Sequence, residues 1–298
     1  MRPVKIITDS CSDLTPEIME KYGIDYAKMN TVRDGETYPA QLDWTPDEVH
    51  AFYGALRAGK RITTTQVPVE EFREIFGKYL AKGYDIVYIA CSSKQSGSVN
   101  TGSVVAEKLL ADYPDATIRC IDSLNASMGE GLVAVEAAKF ASEGLSADEV
   151  AEKVSAIRNN VNEYITVHSL DALKRAGRVK ASKAFFGNLM GVKPILISDA
   201  LGVQTPIKKV KGRQSSLREV VSLLAENILE VDRHPVYLVH ADCPENEVEE
   251  VKAMIREAIP GAEITVGYIG PIIGASIGPD AIGVFGYGRE ITFVGKDS

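Results

Sequence analysis

Short apolar runs alternate with longer amphipathic stretches along the first half of the chain. Residues 4–8 and 85–91 are apolar runs of strand length. Residues 99–110 carry apolar side chains at helical spacing, with Val104 and Val105 expected on one buried face. Short strands that alternate with helices are typical of a parallel sheet covered by helices on both faces.

The pattern changes near residue 160. The apolar runs 193–198 and 203–210 are separated by only four residues, which predicts a β-hairpin rather than a crossover. We therefore expect a two-domain α/β fold. Residues 1–160 would form an α/β domain around a mostly parallel sheet, and residues 161–298 an α+β domain with a mixed or antiparallel sheet.

Two hydroxyl-rich clusters carry the most specific chemistry in the sequence. The first covers residues 63–66 (TTTQ), and the second covers residues 92–98 (SSKQSGS), directly before a predicted helix. Unpaired N–H groups and the helix dipole favour an anion at such a position. One cluster of this kind is most often an N-cap and a turn. Two clusters at the carboxyl ends of parallel strands favour an oxyanion site.

Composition narrows the class of function. The net charge of −8 argues against a general nucleic-acid binder, which needs cations to neutralise phosphates. The four cysteines show no paired spacing, which predicts reduced thiols and a cytoplasmic location. No segment approaches the length that a bilayer span requires, so we expect no transmembrane helix and at most transient contact with a membrane.

Several motifs favour structural roles over chemistry. Gly129 and Gly131 lack the third glycine and the preceding strand of a dinucleotide-binding loop. His240, Asp242 and Cys243 follow a predicted strand without the spacing of a metal site, so we expect no metal, and we expect Asp242 to cap the next helix.

Three further features leave alternatives open. A basic run at residues 208–213, like Arg178, suits a solvated surface or a patch for a phosphate or an acidic partner. Residues 270–281 form a predicted glycine-rich loop, which either approaches a ligand closely or simply joins two strands. One apolar stripe at helical spacing suits either core packing or a tunnel for an apolar ligand. Its members are Phe185, Phe186, Leu189 and Met190.

Taken in order along the chain, these clusters resemble motifs of the DegV family. The resemblance spans nearly all 298 residues. It rests on TDSCSDL at 8–14, TTQ at 64–66, SSKQSGS at 92–98, DS at 122–123, LKRAGRV at 173–179, KPIL at 193–196, HAD at 240–242 and GP at 278–279. Each piece is short, but the ordered set is specific.

The resemblance implies a non-enzymatic protein that holds a long-chain fatty acid, palmitate or a similar acid, between two domains without a cofactor. The carboxylate would be bound by the hydroxyls of Thr64 and Ser96 and by neighbouring groups, and the acyl chain would lie along the apolar stripe. Similar proteins present the carboxyl group to an ATP-dependent kinase subunit, which Arg213 and Arg178 would contact here. The neighbouring groups at the carboxylate are Thr65, Gly97, Ser98, Ser276 and Gly278.

The chain departs from the family pattern at a few positions. Gln95 stands where the family usually has leucine, Ser98 where it has threonine, and Ala176 where it has glycine. Ser276 stands where the family has a histidine near the head group, and Asp280 stands where the family has a glycine. Because a serine hydroxyl cannot carry positive charge and Asp280 adds a carboxylate, we expect fatty-acid binding but poor service to a typical kinase subunit.

An alternative function is that of an enzyme acting on a small phosphorylated or carboxylated metabolite. It would use the same anion site, so the cavity behind Thr64 and Ser96 discriminates between the two. A long apolar cavity supports the lipid, whereas a short polar pocket with convergent His or Asp supports the enzyme. The sequence places no obvious base near either cluster, which favours the lipid-binding protein.

Overall fold

A computed structural model describes residues 2–179 and 191–295 of the chain. The strands are β1 (Val4–Asp9), β2 (Asp25–Ala27), β3 (Asn30–Arg33), β4 (Glu36–Pro39), β5 (Ile62–Thr65), β6 (Asp85–Ala90), β7 (Ile118–Asp122), β8 (Val161–Thr166), β9 (Val192–Ser198), β10 (Gln204–Lys211), β11 (Val236–His240), β12 (Ile264–Tyr268) and β13 (Ile282–Tyr287). The α-helices are α1 (Pro16–Tyr22), α2 (Pro46–Arg57), α3 (Val69–Leu80), α4 (Ser98–Leu110), α5 (Met128–Ser142), α6 (Ala147–Ile157), α7 (Asp171–Ala176), α8 (Arg213–Asn227), α9 (Glu245–Ala258) and α10 (Pro271–Ile277).

The strands form three sheets. The parallel sheet has the order β2-β1-β6-β7, with every neighbouring pair parallel. The mixed sheet has the order β10-β9-β8-β13-β11-β12, in which only β11 and β12 pair in parallel. The small sheet, β4-β3-β5, is antiparallel. The expected α/β fold, with one parallel and one mixed sheet, is confirmed, and so is the hairpin of β9 and β10.

Helix α5 connects the two large sheets. It contacts β1 and β6 of the parallel sheet and β8 and β13 of the mixed sheet. Its residues from Met128 to Ala138 are all buried, as expected of a helix that is apolar around most of its circumference. The two carboxyl side chains in this stretch, Glu130 and Glu136, are therefore buried as well.

Local sequence signals set several helix ends. The hydroxyl of Thr45 accepts a hydrogen bond from the Glu48 backbone N–H, and the Glu48 carboxylate accepts one from the Thr45 N–H. Ser146 and Glu149 repeat this capping box at α6. Among the described residues, no helix is both long and apolar enough to cross a bilayer.

Two expectations about local structure are wrong. The predicted glycine-rich loop at 270–281 contains helix α10, because Pro271 suits a first helical position and the apolar residues that follow pack into the core. Val104 is 51% exposed and does not share the buried face of Val105. On α4 the apolar stripe is therefore narrower than the sequence suggests.

Candidate functional site

A cavity opens between the small sheet, α10 and the mixed sheet. Its volume is about 290 Å³. Most of its wall is apolar and comes from segments far apart in sequence. The apolar lining consists of Met29, Ala126, Ile165, Leu173, Ala176, Val179, Leu196, Ile272, Ile273 and Ile277. Such a wall suits a hydrocarbon ligand better than a small polar metabolite.

The two predicted hydroxyl clusters meet at this cavity. Thr64 and Thr65, at the end of β5, and Ser96 and Gly97, just before α4, all line it. Gln95 lines it too, and its side-chain nitrogen is buried without a hydrogen-bond partner. The cavity therefore combines an apolar wall with a group of hydrogen-bond donors, which is the arrangement expected for a carboxylate with a hydrocarbon tail.

Ser98 does not line the cavity but orients Ser96. Its hydroxyl oxygen lies 2.9 Å from that of Ser96, and its backbone N–H donates to the Ser96 hydroxyl at 3.2 Å. The Ser98 hydroxyl also accepts from the backbone N–H of Val67 at 3.2 Å. Ser98 can then donate its own proton to Ser96, which leaves the Ser96 proton available for a ligand in the cavity.

The side chain of Gln66 lies close against Gly97. A Cβ atom at position 97 would lie 2.1 Å from the side-chain oxygen of Gln66. The Gln66 amide group is held on its other side, where its nitrogen donates to the Thr101 hydroxyl at 2.8 Å. The contact between Gln66 and Gly97 holds the hydroxyl-rich cluster at residues 92–98 against the end of β5.

Two buried acidic side chains, those of Asp9 and Glu130, accept hydrogen bonds beside the cavity. The Asp9 carboxylate accepts from the backbone N–H groups of Cys11 and Cys91 and from the Tyr88 hydroxyl, at 2.9, 3.2 and 2.7 Å. Burial raises the pKa of Asp9 to about 6, against the effect of these hydrogen bonds. Burial and the charge of Asp9 hold the pKa of Glu130 well above its usual value, against hydrogen bonds from the Thr8 hydroxyl and the Asp9 backbone N–H.

Two cysteines lie on the cavity wall above these acids. The Cys11 and Cys91 sulfur atoms are 3.2 Å apart, and both thiols are free and buried. The hydrogen bond from Cys11 lowers the pKa of Cys91, but burial and the carboxylates of Glu130 and Asp9 together raise it to about 12. Both thiols are therefore protonated and weakly nucleophilic.

Asp280 does not have the predicted position beside the ligand. Its carboxylate binds the Arg57 guanidinium at 2.7 Å in a separate surface cleft. Arg57 also binds Asp242, which explains why the predicted capping role of Asp242 is wrong: the residue that precedes α9 at the cap position is Pro244. The expected repulsion between Asp280 and a bound carboxylate is removed by this pairing.

The remaining predicted residues fall into three groups. Ser276 lies on α10 and lines the cavity, whereas Gly278 follows α10 at a φ of 80° and is not part of the lining. Arg178 is exposed at the cavity wall, and Arg213 is paired with Glu247 at 2.7 Å with 16% of its side chain exposed. The predicted acyl-chain residues lie outside the described part of the chain. These are Phe185, Phe186, Leu189 and Met190.

Sequence reasoning missed most of the apolar wall. Ile272, Ile273 and Ile277 lie on a helix that was predicted to be a loop. Leu196 and Ile165 lie on buried strands, where apolar residues do not reveal which ones face a cavity. The departure of Gln95 from the family pattern was the available signal for an additional polar group.

Comparison with known proteins agrees with this geometry. The model of the DegV family matches residues 3–289. A DegV domain-containing protein of Clostridium perfringens is 36% identical over 287 residues, which cover 96% of this chain and 97% of that protein. A solved DegV lipid-binding protein from Thermotoga maritima has a TM-score of 0.82 at 28% identity, covering 98% of this chain and 100% of its own.

A second solved structure is that of a stearic acid-binding protein from Eubacterium ventriosum. Its TM-score is 0.81 at 26% identity, covering 95% of this chain and 98% of its own. Family model, sequence relatives and solved structures therefore agree over nearly the whole length of the chain. This chain belongs to the DegV family.

Proposed function

We propose that this protein binds one long-chain fatty acid, with the carboxylate at Thr64 and Ser96 and the acyl chain along the apolar wall. The observation that carries the proposal is the Ser96 hydroxyl, whose proton can face the ligand when Ser98 donates to it, in a cavity whose other wall is aliphatic. The stearic acid bound by the Eubacterium ventriosum relative supports the same class of ligand.

Burial of the acyl chain and hydrogen bonding of the carboxylate contribute free energies of different size, and so have different roles. Burial of a chain of about 16 carbons contributes on the order of 12 kcal/mol of transfer free energy, at about 0.8 kcal/mol per methylene. A hydrogen bond to a charged carboxylate contributes about 1.5–3 kcal/mol. The chain therefore dominates affinity, and the hydroxyl groups fix the orientation of the ligand.

Gln95 is a third side-chain donor in this proposal. It immediately precedes Ser96, lines the same cavity and has a buried amide nitrogen without a partner. An unsatisfied buried donor is unfavourable, so a carboxylate oxygen beside it gains a hydrogen bond that the family's usual leucine would not provide. Thr65 and the Gly97 backbone would complete the head-group site, with Ser276 on the opposite side.

The carboxyl group would be presented at the boundary between two structural units, residues 1–160 and 161–298. A kinase subunit that phosphorylates it with ATP would meet Arg178, which is exposed at the cavity, and Arg213. To bind such a partner, Arg213 would have to give up part of its ion pair with Glu247. Ser276 supplies a neutral hydroxyl there, so we expect acyl-phosphate formation to be slow.

Extraction of the purified protein with organic solvent, followed by mass spectrometry, tests the proposal. We expect a long-chain fatty acid at close to one mole per mole of protein. Recovery of a soluble phosphorylated or carboxylated metabolite in its place would support the enzyme alternative and contradict the proposal.

A further inference from the structure

The cavity wall formed by the mixed sheet contains a buried polar row. Ile165 of β8 pairs with Leu196 of β9, and both line the cavity. Because side chains alternate along a strand, Glu163 and Ser198 lie on the same face two residues further along. Both are almost fully buried, at 2% and 5% exposure. The apolar lining is therefore followed directly by polar side chains.

Gln204 connects this row to the cavity. It pairs with Ser198 across β9 and β10, lines the cavity and is 6% exposed. Its side-chain oxygen lies 3.5 Å from the Ser198 hydroxyl, and its amide nitrogen, which has the Glu163 carboxyl as a neighbour, makes no hydrogen bond of normal geometry. This amide is therefore an unsatisfied buried donor on the wall along which a hydrocarbon chain would lie.

The Glu163 carboxyl lies next to Gln204 and also lacks a hydrogen bond of normal geometry. Its polar neighbours are the Ser198 hydroxyl, the Ser198 backbone N–H and the Gln204 amide, but none of them makes a hydrogen bond of normal geometry to either carboxyl oxygen. Burial raises the pKa of Glu163 to about 7, although the nearby Ser198 and Gln204 side chains oppose this rise. Three unsatisfied polar atoms in one place are unusual in a protein interior, where such groups nearly always have partners.

We propose that the cavity takes a long-chain fatty acid that carries a hydroxyl group on its chain, with that hydroxyl bonded to the side chain of Gln204. The inference rests on the proposed function and names the substrate class of the same site. A hydroxyl both donates and accepts, so it satisfies the Gln204 amide in either orientation. The Gln204 amide carries two N–H donors, of which Glu163 can accept one, so a saturated chain would leave at least one N–H without a partner, which disfavours it.

Equilibrium binding of stearic acid and of monohydroxystearic acids with the hydroxyl at successive chain positions tests the inference on the unaltered protein. We expect at least one positional isomer to bind about tenfold more tightly than stearic acid. If all isomers bind as weakly as stearic acid or more weakly, the inference is wrong while the proposed function stands. If neither stearic acid nor any isomer binds, the proposed function itself fails.

A substitution of Gln204 tests whether this residue recognises the hydroxyl group on the acyl chain. Gln204→Met keeps the length of the side chain without its polar atoms, and should abolish the preference, so that the hydroxylated isomer and stearic acid bind with similar affinity. Gln214→Met is the matched control, since Gln214 bonds Glu250 on the surface of α8. A preference that persists in Gln204→Met would overturn the assignment to Gln204, and one lost in Gln214→Met would show that it does not report on the cavity.

Discussion

The hydroxyl oxygens of Ser96 and Ser98 lie 2.9 Å apart, and this pair determines which proton faces the cavity. Ser98 is fully buried and accepts from the Val67 backbone, and either hydroxyl of the pair can be the donor. In the arrangement that suits a ligand, Ser98 donates to Ser96 and the Ser96 proton faces the cavity. Substitutions can therefore separate the direct contact of Ser96 with the ligand from the orienting contact that Ser98 makes with Ser96.

Thr64→Ala and Ser96→Ala should each weaken fatty-acid binding by about 1–3 kcal/mol, because each leaves a carboxylate oxygen without a donor. Ser98→Ala should weaken binding by less, since it removes only the group that orients Ser96. Displacement of a fluorescent fatty acid measures all three. Ser103→Ala is the control, as the Ser103 hydroxyl bonds the Val99 carbonyl within α4. Equal affinities for the three variants and the unaltered protein would place the head group elsewhere.

Gln95→Leu restores the side chain usual in the family and removes the third donor. We expect the affinity for stearate to fall by about 0.5–1.5 kcal/mol, the range for a single net hydrogen bond. Gln41→Leu is the control, because Gln41 bonds Tyr26 at an exposed position. Tighter binding by Gln95→Leu in the same displacement assay would show that Gln95 does not contact the carboxylate.

Much of the fold could be predicted from the sequence because long periodic segments have one stable arrangement. Helix starts such as Thr45-Pro46 and the buried strand β6 have strong local signals. The small sheet has none, because its strands are only four residues long and largely polar, as in Glu36–Pro39. The expectation that Thr64 follows a parallel strand is therefore wrong, because Thr64 lies in β5 and pairs with Thr31 in an antiparallel arrangement.

The candidate site could be predicted only for its polar half. Hydroxyl groups near strand and helix ends are visible in sequence, and Thr64 and Ser96 do meet. The apolar half depends on which buried aliphatic residues leave a gap between them, and that is set by tertiary packing. The position of Asp280 depends likewise on Arg57, which lies more than two hundred residues earlier in the chain.

Asp13→Asn should reduce the pH dependence of stability. Burial raises the pKa of Asp13 to about 7, against hydrogen bonds from Ser127 and the Gly270 N–H. The folded state then holds a proton that the unfolded state loses above pH 4, so Asp13 stabilises the fold at low pH and this contribution falls as pH rises from about 4 to 7. The slope is at most about 1.4 kcal/mol per pH unit.

Urea unfolding between pH 4 and 8 measures this difference. Asparagine resembles the protonated carboxyl and tolerates the positive φ of 53° at this position. The free energy of unfolding of Asp13→Asn, relative to the unaltered protein, should therefore rise with pH across this window. Parallel curves for the two proteins would show that Asp13 is ionised in the folded state throughout.

Arg57→Met should destabilise the fold by about 1–2 kcal/mol. Its guanidinium joins α2 to both Asp242 and Asp280, and Asp242 is only 8% exposed in its side chain. Because Arg57 itself is 37% exposed, solvent screening limits the effect. Thermal unfolding measures it, with the exposed Arg73→Met on α3 as the control. A melting temperature that falls equally in both variants would show that the ion pairs contribute nothing specific.

Calorimetric titration of the delipidated protein with stearate tests the central claim most directly. The account predicts one saturable site per chain, and an affinity at least about tenfold weaker in the Thr64→Ala, Ser96→Ala double variant. Absence of saturable binding, or a double variant that binds as tightly as the unaltered protein, would contradict it.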